Sequence, residues 1–141
     1  RVLFRSDPEL EQKASGIGRV FSKVIGQYPW AFTQLLAALD FGLGPSYEVV
    51  IAGNSNAEDT GLMLDALRRQ FLPNKVVLFR ASGNDDPDIS RLAEYAINHK
   101  SLDGKATAYV CMNYKCQLPT TDVEKMLELL DAKKSQEPKA S

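Results

Sequence analysis

The sequence predicts an α/β fold, with two N-terminal helices followed by a three-stranded parallel sheet in βαβαβα order, a Rossmann-like arrangement of three layers. Three observations carry this expectation. Tyr47 to Ala52, Lys75 to Arg80 and Ala106 to Met112 are short, nearly continuous apolar runs, as expected of strands buried on both faces. The stretches after them repeat apolar residues at helical spacing. Strands separated by single helices pair in parallel through right-handed crossovers, and the helices then cover both faces of the sheet. The order 2-1-3 places the first strand centrally, with one crossover passing each way.

The elements follow in turn. Ser6-Asp7-Pro8-Glu9 is a capping-box pattern that opens a helix, and Leu10, Ala14, Ile17, Phe21 and Val24 fall on one of its faces. Gly16 and Gly18 weaken it, and Gly26 is a natural stop. From Trp30 to Phe41 apolar residues occur on almost every side, so this second helix needs cover nearly all round. Gly42, Gly44 and Pro45 end it. After the first strand, closed by Gly53, Ser55 and Glu58 form another capping box, and Met63, Ala66, Leu67, Gln70 and Phe71 follow helical spacing. Leu72-Pro73-Asn74 turns the chain into the second buried strand. A polar loop from Ser82 to Asp88 precedes a helical face of Ile89, Leu92, Ala93, Ala96 and Ile97. Leu102-Asp103-Gly104 is a turn before the third strand, which runs into a loop holding both cysteines. Thr121 and Glu124 then cap a final amphipathic helix of Val123, Met126, Leu127 and Leu130. Residues 1–45 therefore read as a helical hairpin, 46–132 as a small α/β domain and 133–141 as a disordered tail.

Composition narrows the functional classes. The 141 residues are 44% hydrophobic, enough for a real core, and 17 basic against 18 acidic residues leave a net charge of −1. With no basic excess to neutralise phosphates, nucleic-acid binding has no support. No apolar run approaches the length of a spanning helix, so no membrane partner is expected. Two cysteines do not make the disulfide framework of small secreted modules, which favours a reducing, cytoplasmic setting. Because the first residue is Arg1, the chain reads as a piece of a longer protein.

In a parallel sheet, ligands collect at the carboxyl ends of the strands, so the expected site is one rim formed by the loops Gly53 to Asn56, Ala81 to Asp88 and Asn113 to Thr121. Gly53, Asn54, Asn56, Asn113 and Thr120 are its candidate residues. The turn at Gly53-Asn54-Ser55-Asn56 lacks a phosphate-binding fingerprint, and Glu58 and Asp59 in the first helical turn oppose an anion, so a turn plus helix cap is the better reading. Asp85, Asp86 and Asp88 do not match calcium-loop spacing and read as solvated caps. Cys111 and Cys116 leave three readings open: a zinc site, short of ligands; a redox pair, without a Cys-x-x-Cys motif; or a buried strand-end cysteine beside a loop cysteine. The isolated His99 precedes Lys100 at a helix end, where a cation suits the dipole. No catalytic residue, metal or cofactor is assigned.

Leu39-Asp40-Phe41 followed by Gly44-Pro45, the strand ending Val50-Ile51-Ala52-Gly53, and Ala108-Tyr109-Val110-Cys111 with Asn113, Cys116 and Pro119-Thr120-Thr121 carry a family resemblance. From about Pro29 through the last helix, the chain resembles the C-terminal segment of the spermatogenesis-associated, thioredoxin-domain-containing family. The resemblance implies a thioredoxin-like domain first, then a helical toroid similar to sugar epimerases and six-hairpin glycosidases, then an α/β segment. On that basis the toroid of the parent chain is the expected partner of the apolar helix, and oligomeric state is left open. The expected role is a non-catalytic accessory or interaction domain. The alternatives are a redox-responsive module using Cys111 and Cys116 or, more weakly, part of a carbohydrate-acting protein.

Overall fold

A computed structural model describes residues 8–83, 93–112 and 115–131. The expected cap at Ser6, the aspartates Asp85, Asp86 and Asp88, the helical positions Ile89 and Leu92, Asn113, and the tail from Lys133 lie outside the described residues. The chain divides into two compact units, Arg1–Ser46 and Tyr47–Ser141.

The first unit holds helix α1 (Pro8–Gln27), a 3-10 turn at Pro29–Phe32 and helix α2 (Thr33–Leu43). Gly16 and Gly18 do not interrupt α1. A Cβ built at Gly18 would stand 3.2 Å from Leu39 Cδ2, so the glycine admits α2 at close range, and Phe21 and Phe32 meet with ring centroids 6.1 Å apart. No residue of α2 is buried, and Trp30 keeps 72% of its surface exposed.

The second unit contains β1 (Tyr47–Gly53), α3 (Glu58–Arg69), β2 (Lys75–Ala81), a 3-10 segment at Glu94–Asn98, β3 (Thr107–Met112), β4 (Lys115–Cys116) and α4 (Val123–Asp131). The sheet order is β2-β1-β3-β4. β1 is central and buried along its whole length. Its partner β2 runs parallel to it, from Tyr47 opposite Lys75 to Gly53 opposite Ala81. β3, however, runs antiparallel, with Tyr47 opposite Met112 and Ala52 opposite Thr107, and β4 returns antiparallel to β3. The sheet is thus mixed and four-stranded, which overturns the expected three-stranded parallel, Rossmann-like sheet.

The reason lies in where the chain re-enters. β2 ends beside Gly53, whose carbonyl accepts from the Ser82 N–H at 2.8 Å. The Ser82 hydroxyl donates to that of Ser101 at 3.0 Å, so the connection comes back to the end it left and β3 must run the other way. Between Ser101 and β3, Asp103 (φ 49°) and Gly104 (φ 70°) make a tight turn closed by the Lys105 N–H on the Leu102 carbonyl at 2.8 Å. Two successive positive φ values are the mark of the Asp-Gly turn that joins antiparallel segments.

One sheet face packs Val49, Ile51, Ala108 and Val110 against Met63 and Leu67 of α3 and Met126 and Leu130 of α4. The other packs Val50 against Ala93 and Ala96, with Leu78, Tyr95 and Tyr109 around them. β2 is half-buried along its length, since it is an edge strand and not a second core strand. Phe71 falls beyond the end of α3 and is 92% exposed. The helix caps also differ from the expected boxes. Ala57 takes the N-cap of α3 without a side-chain bond, while Asp59 accepts from the Thr60 N–H at 2.8 Å and from the Ala106 N–H at 2.7 Å. At α4, Asp122 Oδ1 accepts from the Lys125 N–H at 3.0 Å, one residue later than the Thr121 box.

Candidate functional site

Reversal of β3 divides the expected rim. Gly53, Asn54 and Asn56 stay at the end where β1 and β2 finish, while Cys111 pairs with Glu48 near the start of β1. Gly53 is a close-packing point: a Cβ there would collide with the Thr60 hydroxyl and stand 3.2 Å from Ala106 Cα. Asn54 Oδ1 accepts from the Asn56 N–H at 3.0 Å, closing a local turn. Thr120 exchanges backbone hydrogen bonds with Ala108 at 2.8 and 3.0 Å, extending the sheet. Nearby, Ala52, Arg80, Ala81, Ser82, Gly83, Lys100 and Ser101 line a depression of about 380 Å³. These residues do not converge on one chemistry.

The cysteines do. Cys111 and Cys116 face one another across β3 and β4 and form a disulfide, with Cα atoms 3.9 Å apart. The Gln117 N–H donates to the Val110 carbonyl at 2.9 Å, which makes that pair hydrogen-bonded and the next, Cys111 with Cys116, the non-hydrogen-bonded kind in which facing side chains lie closest. Cys111 is 1% exposed, whereas Cys116 is exposed on the outer strand. The bridge therefore joins a residue shielded within the sheet to one at its exposed edge.

His99 lies against this pair. One imidazole nitrogen and the two sulfurs all fall within 4.8 Å of one another. The ring stands edge-on to Tyr109 with centroids 4.3 Å apart and edge-on to Tyr95 at 6.2 Å. The Arg80 guanidinium donates to the His99 carbonyl at 2.6 Å and the Tyr109 hydroxyl to the Lys100 carbonyl at 2.6 Å, which fix the backbone just after the ring's Cα, while the His99 N–H donates to the Ala96 carbonyl at 3.1 Å before it. Burial lowers the His99 pKa below 6.5; the carbonyls of Tyr95 and Ala96 oppose this, and the charge of Arg80 adds to it. The direction of the shift favours the uncharged ring, and among the described residues its buried Nδ1 has no hydrogen-bond partner. His99 does stand at the end of a helical segment, as the C-cap of Glu94–Asn98, but burial disfavours the charge expected there. Glu48, 4% exposed, stands opposite Cys111 in register, so their side chains emerge from the same face of the sheet.

A signal for the bridge lay in the spacing: a separation of 5 residues is one that two facing positions of a short antiparallel pair can show, here with Met112 opposite Lys115 as the next pair. Nothing in the sequence brings His99 to them. That approach depends on the connection folding over the sheet.

Fold and site together define a mixed α/β domain with a disulfide-bridged hairpin at the sheet edge and an imidazole against the bridge. Over 110 residues, 78% of the chain, it is 31% identical to spermatogenesis-associated protein 20 of Homo sapiens, and over the same length 29% identical to that of Rattus norvegicus and 27% to that of Mus musculus. The chain belongs to the spermatogenesis-associated protein 20 family, and it spans about one seventh (14%) of the length of these relatives. No protein-family model and no solved structure matches it. Among the described residues, no helix is long and apolar enough to cross a membrane.

Proposed function

We propose that the Tyr47–Ser141 unit is a redox-responsive domain of a larger protein, alternating between the Cys111–Cys116 disulfide and the dithiol. The observation that carries this is the bridge itself, formed between a buried strand residue and Cys116, an exposed residue of the outer strand. A dithiol reductant approaches from the Cys116 side. Its thiolate attacks Cys116 Sγ, the S–S bond breaks, and Cys111 leaves as a thiolate that takes a proton. The reductant's second thiolate then attacks its own sulfur in the mixed disulfide and releases Cys116. Two electrons pass to the pair, and the reductant leaves as its disulfide. A sequence separation of 5 makes the bridge a weak staple, worth about 2 kcal/mol by loop-closure entropy, and that favours a switch over a structural clamp.

The test is titration of the native chain with a dithiol reductant, counting alkylated thiols by mass spectrometry while circular dichroism follows the fold. Two thiols should become alkylated with the secondary structure intact. A bridge that opens only when the chain unfolds overturns the reading.

A second reading rests on a separate observation, the exposed apolar residues of the helical unit, among them Trp30 (72%), Val20 (76%) and Leu43 (85%). This unit is an accessory element that packs on the rest of the parent chain. The matched relatives are about seven times as long as the aligned stretch, so the parent offers the missing cover. The family resemblance supports placing the domain at the C-terminus, after a helical toroid.

A further inference from the structure

We propose that the reduced pair, together with His99, forms a three-ligand site for one zinc(II) ion, so that the disulfide and the metal-bound dithiolate are alternative states of the same residues. The proposal rests on the redox reading of the pair and adds a ligand to it. Two thiolates and an imidazole are the donor set that selects zinc over hard cations such as magnesium or calcium. Around a tetrahedral zinc, with bonds of about 2.3 Å to sulfur and 2.0 to 2.1 Å to nitrogen, ligand atoms lie roughly 3.5 to 3.8 Å apart. The three atoms already lie within 4.8 Å of one another, so parting the sulfurs by rotation of the two Cβ–Sγ groups is the main adjustment required.

The surroundings fit such a site. Cys111 is rigidly held between β1 and β4, and the ring of His99 is wedged against Tyr109 and Tyr95. Among the described residues its buried Nδ1 has no hydrogen-bond partner, a desolvation that a metal bond, or a proton shared with a carbonyl while Nε2 binds the metal, would offset. Cys116 is an exposed residue, and water would be the fourth ligand of such a three-residue set. Uptake proceeds after the two-electron reduction described above: each cysteine gives its thiol proton to solvent, zinc loses waters, and no further oxidant or reductant takes part.

The experiment uses the 141-residue chain, reduced, desalted without oxygen and titrated with cobalt(II) as a spectroscopic probe, then with zinc(II). One equivalent of cobalt should bring thiolate-to-metal charge-transfer absorption and tetrahedral visible bands, both erased by one equivalent of zinc. The oxidised chain should show neither. His99→Ala should weaken zinc binding by at least about tenfold, measured against a chromophoric chelator, and Cys116→Ser should abolish the charge-transfer band of a two-thiolate site. Circular dichroism of each variant separates loss of binding from loss of fold. A reduced chain with two alkylatable thiols but no cobalt–thiolate absorption overturns the metal site and leaves the redox reading standing. A bridge that cannot be opened in the folded chain overturns both. Unchanged zinc affinity in His99→Ala overturns the three-ligand set.

Discussion

Asp59 shows how a single side chain can join the start of a helix to the entry of a strand far along the chain. Its carboxylate accepts from its neighbour Thr60 at the start of α3 and from Ala106, 47 residues on, where the chain enters β3. The Ala106 N–H is the largest influence holding the Asp59 pKa below 3.8, with Lys105 adding a smaller pull and burial opposing it. The folded state thus binds this proton less readily than the unfolded state does. Stability from Asp59 is therefore present above about pH 4 and is lost as pH falls through the lowered folded value. We expect Asp59→Asn to flatten the acid limb of a Tm-against-pH curve below pH 4 while leaving its neutral part nearly parallel to that of the parent chain. An identical acid limb in the variant would refute this role. From the sequence, Asp59 was legible only as a first-turn acid suited to the helix dipole. Its bond to Ala106 depends on β1 and β3 lying side by side, which no local pattern specifies. His99 is the same case, since a cation at a helix end and a neutral ring against two sulfurs read alike until the fold places them.

At the scale of elements, the β3–β4 hairpin is the part of the site with a measurable energetic signature. Replacing both cysteines by alanine, Cys111→Ala with Cys116→Ala, should lower stability by about 2 kcal/mol in urea unfolding under oxidising conditions. Much of that gap should close when reductant is added to both proteins, leaving the smaller packing difference at the buried Cys111. A gap that persists undiminished in reductant would mean that packing, and not the cross-link, dominates. The hairpin also shows where pattern reading stops. The apolar run to Met112 identifies β3 well, because a strand buried on both faces is continuous in hydrophobicity. Lys115-Cys116 carries no such run, since β4 is short, exposed and held by pairing with its neighbour. Strand direction is equally silent in composition. β3 would have the same residues in either direction, and only the return of the chain from Ser82 to Ser101 selects antiparallel pairing.

Across the whole chain, the helical unit and the α/β unit differ in how much of their apolar surface is covered. β1 is buried throughout, whereas α2 buries no residue despite its apolar composition. Trp30 is the sole tryptophan of these 141 residues, so within this chain its fluorescence reports on that unit, and in a longer chain the same position is followed by a site-specific label. In the 141-residue chain it should be readily quenched by acrylamide, and in a chain of the relatives' full length it should be several-fold less accessible. Equal quenching in both would count against packing of this unit on the parent. The sequence by itself determined α1 to α4 and the three principal strands, because apolar periodicity records which faces of a segment must leave water, whereas the helical face expected from Ile89 to Ile97 is, where described, the 3-10 segment Glu94–Asn98. It also raised the expectation that the second helix needs cover, and it carried the family resemblance. Only the tertiary structure decided the direction of β3, the pairing of Cys111 with Cys116 and the placement of His99 beside them. Those are contacts between segments far apart in the chain or set by a turn, and they are fixed by how the connections close over the sheet rather than by the preferences of any one stretch.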